Sequence, residues 1–367
     1  MIYMVEPIHV GFVGGGQRAE SIFGTLVMNR VLADQVVPAC IVDTNDKVRD
    51  DWKYKVDARY TSLDQLLKHD PLDAVVIITP PATHASIAIA CLDAGIDTWS
   101  EVPMALTMDE IFDIIDAERS NRGQKGKYAL GENACWYLGM QLARHLAEQG
   151  KLGDMFYMEG EYHHSVEHYM VKENFEEGLK LDPGVENGIT PTWRATLEPL
   201  LYGHSAGPCL YVLAKQDPDD RPVEVCGQGN MKMLSRFETD NFQIATFKTA
   251  NDVICKFGSG LVLPNHGYRH HMFWSTRCYL DIKDAAPKQY YLHLVPEDQQ
   301  HFPNRHEVEG KLLSEDEIRS MGIAYAEGGH GGADTLMFKD WLGALRGVSK
   351  YSIGAVKAAE MNAVNML

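Results

Sequence analysis

The chain has 367 residues, 45% hydrophobic and 23% charged, which is enough for large cores, and its length suggests two domains. A net charge of −17 argues against a phosphate-backbone partner, because nucleic-acid affinity rests on Lys and Arg neutralising phosphates, and equally against an anionic membrane surface. No apolar run approaches the roughly 20 residues that span a bilayer, the start MIYMVEPIHV has no basic n-region or apolar h-region, and the seven cysteines form no CxxC pair, so reduced thiols and a cytoplasmic location are expected.

Residues 8–13 (IHVGFV) predict a strand that runs into Gly14-Gly15-Gly16-Gln17-Arg18-Ala19, with a helix over 21–31. This is G-x-G-x-x-A between strand and helix. The glycines permit a tight turn and close backbone approach to a pyrophosphate, which a helix N-terminus then stabilises. A second strand, 36–42, ends in Asp43, whose carboxylate accepts from a ribose diol and repels a 2′-phosphate; it lies somewhat beyond the usual spacing of about 20 residues. The expected cofactor is NAD, held by Gly14, Gly16, Gln17, Arg18 and Asp43. The alternative is a glycine-rich turn that binds nothing. Arg49 reads as part of a solvated helix.

Residues 64–67 suggest a short helix, and 75–79 a buried parallel strand stopped by Pro80-Pro81. A helix over 85–93, Gly95 as its C-cap and a strand at 98–100 complete a βαβ unit. Ligands in open α/β sheets collect at the carboxyl ends of strands, which puts Thr79, Pro80, His84 and Glu101-Val102-Pro103 on the ligand side. His84 either touches the cofactor or caps the helix that follows it. A helix over 106–119, a turn at 121–124 and a strand at 127–130 close this domain near residue 132. Beyond it come a helix over 141–148, a strand over 154–162 and a long irregular section, 172–199, containing Trp193-Arg194. Strands alternate through 223–263, 271–282 and 290–295. Helices at 333–345 and 353–363 end the chain, the second packing back on one of the domains. The fold class is therefore α/β: an N-terminal Rossmann dinucleotide-binding domain, residues 1–132, and a C-terminal α/β domain with a mostly antiparallel open sheet, residues 133–367.

TPPxxHxxIAxxxLxAG followed by ExP, after G-x-G-x-x-A, resembles the Gfo/Idh/MocA superfamily of nicotinamide-dependent sugar oxidoreductases, over nearly the whole chain. The resemblance implies a second-domain sheet that often forms the oligomer interface, hence a homo-oligomer, dimer or tetramer. It also implies a Lys in the middle of ExP, and an Asp and a His on a second-domain helix, to move the substrate hydroxyl proton. Here Val102 takes the Lys position, and LLYGHSAGP holds His204 with no Asp just ahead of it. EVP, A-x-T-x-DE, GEN, GEYxH, TWR, G-H-x-x-GP and GHGGAD are together similar to the NAD-dependent glycosidases of the α-N-acetylgalactosaminidase type. That branch oxidises a sugar at C3, removes the acidified C2 proton, eliminates the aglycone, adds water and reduces C3 again. Once C3 is a ketone, expulsion at C1 needs no oxocarbenium ion and no paired carboxylates.

The same match places Glu132, Tyr162, His164, Arg194 and His204 on active-site positions. The branch has a tyrosine base three residues before the helix His, where this chain has Leu201, with Tyr202 one place on. The C2 base is then a shifted Tyr202, or His164 or His204, since one step along a helix turns a side chain by about 100° at ~3.6 residues per turn. Trp193 with Arg194, Glu101, and His330 with Asp334 are candidate substrate contacts. Structural readings stand beside these: Glu132 as a helix cap, Tyr162 as a core strand residue, His204 as a buried histidine, Arg194 as a surface guanidinium, and His330-Gly331-Gly332 as a turn. A metal needs three or four converging ligands. Of the candidates His266, His270 and His271, the last two cannot both point inward from one strand, so no metal is expected. The functional reading is redox-neutral, NAD-dependent cleavage of a glycosidic bond in a small-molecule or oligosaccharide substrate. A conventional NAD-dependent sugar dehydrogenase and a catalytically silent NAD-binding protein are the alternatives.

Overall fold

The computed structural model describes residues 6–120, 126–173, 189–230, 239–264, 267–285, 287–296 and 308–366. The chain divides into two compact units, Met1–Leu142 with Glu315–Met366, and Ala143–Ser314.

The first unit opens with β1 (Ile8–Val13), α1 (Gln17–Phe23), β2 (Val36–Val42), α2 (Asp46–Asp50), β3 (Ala58–Tyr60), α3 (Leu63–Leu66) and β4 (Ala74–Ile77). It continues with α4 (His84–Asp93), β5 (Asp97–Ser100), α5 (Met108–Ser120) and β6 (Tyr128–Leu130). The six strands form one sheet in the order β3-β2-β1-β4-β5-β6, with β1 parallel to both β2 and β4. Strand order reverses between β1 and β4, and dinucleotides bind in doubly wound sheets across that crevice. The apolar runs of β1 and β4 are buried almost throughout, as strands covered on both faces must be. α1 starts earlier than expected and passes at Gly24 into a π-helical turn, Gly24–Met28. There the Thr25 hydroxyl donates to the Ser21 carbonyl at 3.1 Å, competing with the α-helical ladder. The expected turn at 121–124 lies outside the described residues.

After α6 (Leu138–Glu148), the second unit holds β7 (Met155–His163), α7 (Glu167–Met170), the short pair β8 (Val171–Glu173) and β9 (Ile189–Pro191), and α8 (Ala206–Gln216). Then come β10 (Pro222–Gly229), β11 (Phe242–Thr249), β12 (Ile254–Gly260), β13 (Tyr268–Ser275), β14 (Cys278–Lys283), β15 (Gln289–Leu294) and β16 (Lys311–Leu313). Eight of these strands make a sheet in the order β10-β11-β12-β7-β13-β14-β15-β16, antiparallel except for the β12–β7 pair. The class read from sequence, a Rossmann domain plus a mostly antiparallel α/β domain, is the class observed. α8 lies on one face of this sheet, where a Cβ at Gly160 would come within 2.1 Å of the Ser205 carbonyl oxygen; only glycine admits that approach. The other face of β7 carries Glu159, Glu161 and His163.

The chain then returns through α9 (Glu315–Ser320), α10 (Ala333–Leu345) and α11 (Ala355–Ala363), all within the first unit. Trp99 packs on Phe338 with ring centroids 4.9 Å apart, and the Asn362 side chain accepts from Met104 N–H at 2.7 Å and donates to the Ala105 carbonyl at 3.1 Å. The sequence reading put the domain boundary at 132. The first compact unit runs to Leu142 and includes Glu315–Met366, with the last helix packed back on it in line with the sequence reading. Among the described residues no helix is long and apolar enough to cross a membrane.

Candidate functional site

The dinucleotide loop is built by backbone demands. Gly14 sits at φ 100°, and a Cβ there would lie 2.5 Å from the Ile78 carbonyl oxygen, so only glycine lets the loop pass over the end of β4. In front of Gly16 the space is open: a Cβ would meet nothing within 4 Å. Gly15 N–H and Asn45 N–H donate to the two oxygens of Asp43, each at 2.8 Å. Each of those oxygens keeps a second lone pair, as a ribose diol requires. Gln17 and Pro80 are exposed and Thr79 half-buried at the same end of the sheet. These residues fit a dinucleotide.

His84 does something else. It is 1% exposed, with Nδ1 2.8 Å from the Pro103 carbonyl oxygen and Nε2 2.8 Å from that of Thr79. Burial pushes its pKa down, against the pull of the two carbonyls. The side chain ties the loop after β4 to the Glu101-Val102-Pro103 loop. Both ring nitrogens are thus taken up by backbone carbonyls, and the N-cap residue of α4, Thr83, makes no side-chain cap bond.

Arg18 anchors a second network within the same unit. Its Nε donates to Glu101 Oε1 at 2.7 Å and Nη1 to Asp334 Oδ2 at 3.3 Å. Asp334 also takes Asn133 Nδ2–H on Oδ1 at 2.8 Å and His330 Nδ1 on Oδ2 at 2.9 Å, and its side chain is 0% exposed. Burial alone would raise the Asp334 pKa, but His330, Arg18 and Asn133 together hold it well below the usual carboxylate range. Burial likewise opposes the charge on Arg18, and Glu101 and Asp334 outweigh it, so the guanidinium pKa rises. Asp334, expected as a substrate contact, is fully buried here, and its side chain pairs with Arg18, Asn133 and His330. Glu132, 1% exposed, accepts Ala134 N–H at 3.0 Å and caps the 3₁₀ turn Asn133–Trp136, which presents Asn133 to Asp334.

The second unit gathers Tyr162, His164 and His204. Tyr162 Oη lies 2.7 Å from His164 Nδ1, and the His204 ring stands edge-on to the Tyr162 ring at 4.7 Å. Val166, Met170, Ala195, Leu261 and Val262 surround Tyr162. Arg194 lies over the Trp193 ring at 4.2 Å and the Tyr169 ring at 5.6 Å, a cation held against two aromatic faces. The expected helix through 200–208 is not continuous. A 3₁₀ turn, Pro199–Tyr202, ends at Gly203 in a left-handed conformation, and α8 begins at Ala206. Tyr202 Oη is buried with no partner among the described residues, and burial pushes its pKa up to about 12, against Arg194. A phenol held that firmly in its neutral form is a poor base.

The two neighbouring histidines of β13 face opposite ways. His270 pairs with Asp281 Oδ1 at 2.8 Å on the face that carries Glu161, while His271 is buried beside His204 and Ser205. His266 lies outside the described residues. Among those described, no three His, Cys, Asp or Glu side chains converge as a metal requires.

Residues 8–125 match the family model described as the oxidoreductase family with an NAD-binding Rossmann fold, Gfo/Idh/MocA. Over those residues the chain is similar to the NAD-binding Rossmann domain of that family. An α-N-acetylgalactosaminidase of Shewanella oneidensis is 31% identical over 185 residues, which cover 47% of this chain and 39% of that relative. The chain thus matches about two-fifths of the length of its curated relatives. Two solved structures share the fold over nearly all of both chains. One is the WlbA dehydrogenase of Bordetella pertussis in complex with NADH and UDP-GlcNAcA (15% identity, TM-score 0.71, 97% of this chain and 92% of that one). The other is an inositol dehydrogenase homologue of Azotobacter vinelandii complexed with NADH and myo-inositol (16%, 0.71, 99% and 94%). In the first unit the sequence reading missed Asn133 as a partner of Asp334, and the Glu101–Arg18 pair. Asn133 stood inside the quoted GEN, so its polar side chain beside a buried turn was the available signal.

Proposed function

We propose that the protein is an NAD-dependent, redox-neutral carbohydrate-active enzyme that opens a glycosidic bond by oxidation at C3, deprotonation at C2 and elimination, followed by hydration and re-reduction. The loop Gly14–Ala19 and Asp43 hold the cofactor, which when bound takes a hydride from the sugar and later returns it. The observation that carries the reading is the Tyr162–His164 hydrogen bond at 2.7 Å: a phenol joined to an imidazole is a proton relay, and C2 deprotonation needs one. His164 draws the C2 proton through this pair, and His204, packed on the same ring, holds the sugar beside it. Trp193 offers an apolar face to the pyranose and Arg194 donates to its oxygens. Tyr202, buried and kept neutral, is left out of the base role. Val102 in place of a lysine weakens the dehydrogenase alternative. The seven free cysteines fit a reducing, cytoplasmic setting. Exposed Ile244, Ile254 and Trp274 on the open sheet face suit a second copy of the chain, which light scattering would detect.

Turnover of aryl N-acetylgalactosaminides of both anomers in D₂O tests the reaction. The expected product carries deuterium at C2 and its original hydrogen at C3. Product without deuterium at C2 overturns the elimination, and steady accumulation of NADH with free sugar establishes the dehydrogenase instead. Mass spectrometry of the denatured supernatant should release NAD; NADP, or no nucleotide with no measurable NAD affinity, overturns the cofactor assignment.

A further inference from the structure

We propose that His271 is a positioning residue for His204: its ring donates to the backbone just ahead of α8 and so sets the His204 side chain against Tyr162, an inference that rests on the reading above. The turn that carries His204 has few ties of its own. Gly203 stands at φ 81°, and Ser205, the N-cap residue of α8, makes no side-chain cap bond. Gly207 N–H donates to the Gly203 carbonyl at 3.0 Å, and the next rung of that ladder would bring Pro208 to the His204 carbonyl. Proline has no N–H, so the helix offers that carbonyl no donor. At the other end of the turn a side chain of the sheet supplies the tie, where Leu200 N–H donates to Gln243 Oε1 at 3.1 Å.

His271 is placed to supply the second tie. In the β13–β7 register it stands opposite Gly160, and residues so opposed on one face of an antiparallel pair have their Cβ positions about 4.5–5.5 Å apart. The Cβ position of Gly160 lies 2.1 Å from the Ser205 carbonyl oxygen, so the turn crosses the sheet beside the His271 ring. That ring is 1% exposed, and neither nitrogen meets a partner at full hydrogen-bond geometry among the described residues. What faces it is the backbone of His204 and Ser205. Burial first, then the charge of His270, pushes the His271 pKa down to about 3, and that backbone pulls the other way, as carbonyl oxygens beside a ring do. The imidazole is therefore neutral and carries one N–H, and a buried donor is satisfied where an acceptor is at hand. An apolar side chain of the same size would fill the place and leave the turn untied.

Three substitutions test this. Leucine fills the space without a donor, while asparagine and glutamine carry an amide N–H near the places of Nδ1 and Nε2. His271→Leu should lower kcat/KM by about 10²-fold, the effect of misplacing a group at the substrate by about 1 Å, with NAD affinity unchanged. His271→Asn or His271→Gln should restore most of it. In ¹H–¹⁵N spectra of the histidine rings, wild-type His271 should show a slowly exchanging N–H. The His204 ring signals, set by the Tyr162 ring beside them, should move in His271→Leu and return in the amide variant that restores turnover. A folded His271→Leu protein with wild-type His204 signals and wild-type kcat/KM overturns this inference and leaves the proposed function standing. Where His271→Leu does not fold, the amide variants decide, and His204 displaced in both of them overturns it equally. A wild type that turns over no sugar overturns the proposed function, and the ring spectra alone then judge the placement of His204.

Discussion

The two faces of the eight-stranded sheet treat ionisable side chains in opposite ways. On the outer face Lys256 lies against Glu159 and 3.5 Å from Glu161, while His163 and His270 approach Glu161 at 3.6 and 4.0 Å. The hydrogen bond from His163 leads, with Lys256 and His270 assisting and burial opposing, and the Glu161 pKa is held down at about 2. On the inner face His271 sits one residue from His270 yet is pushed down to about 3, by burial first and by the charge of His270 second, against the backbone of His204 and Ser205. One face keeps its groups charged by pairing them; the other keeps a histidine neutral by drying it. A neutral, dry surface is the better setting for the Tyr162–His164 pair, because proton transfer there is not swamped by fixed charges.

Breaking the inner face at its centre has the largest expected effect. Tyr162→Phe should lower turnover by about 10²–10⁴-fold with NAD still bound, measured by single-turnover kinetics; unchanged turnover would move the relay elsewhere. Next comes acid stability. Unfolded His271 takes up a proton below its ordinary 6.5 and the folded residue not until about 3, so the unfolded chain binds more protons in between. Stability therefore falls as pH drops through that window, by a few kcal/mol at most, and His271→Leu should flatten the slope in denaturant titrations. Glu161, depressed from 4.5 to about 2, adds its own loss only below about 4.5, which separates the two faces in one titration.

Smaller again is Gly160→Ala, whose Cβ would meet the Ser205 carbonyl oxygen at 2.1 Å. It should cost about 1–3 kcal/mol by overpacking and displace the turn that carries His204. The smallest expected effect belongs to the outer face. Glu161→Gln should leave turnover alone and remove the stability loss below about pH 4.5, since the amide takes up no proton there. A large loss of activity there would erase the distinction between the faces.

How far the sequence could be read depended on whether the signal was local. β1 and β2 ended at the residues expected, where the apolar runs meet Gly14 and Asp43, and α10 matched at both of its limits, between Gly332 and Arg346-Gly347. β3 is only Ala-Arg-Tyr, half exposed, and offers no run to notice. The glycine loop and Asp43 were legible as a motif with a spacing. The Arg18 partners were not, since Glu101 and Asp334 stand 83 and 316 residues away and no periodicity links them. Tyr202 was misplaced on a helix because the left-handed Gly203, which breaks the turn before α8, gives no sign beyond being a glycine.

The return of α10 to the first unit fixes an order of events during synthesis. When the Rossmann strands leave the ribosome, Arg18 has Glu101 but not Asp334, Trp99 lacks Phe338 and Met104 lacks Asn362. Domains tend to fold as units as they emerge, and this one cannot finish until its last segment is made. The nascent sheet must wait through the whole of the inserted unit with an apolar face uncovered and Arg18 holding only one of its two carboxylates. A chain stopped just before α10 should therefore be a substrate for chaperones and proteases, even though its glycine loop, its Asp43 and all six parallel strands are already present.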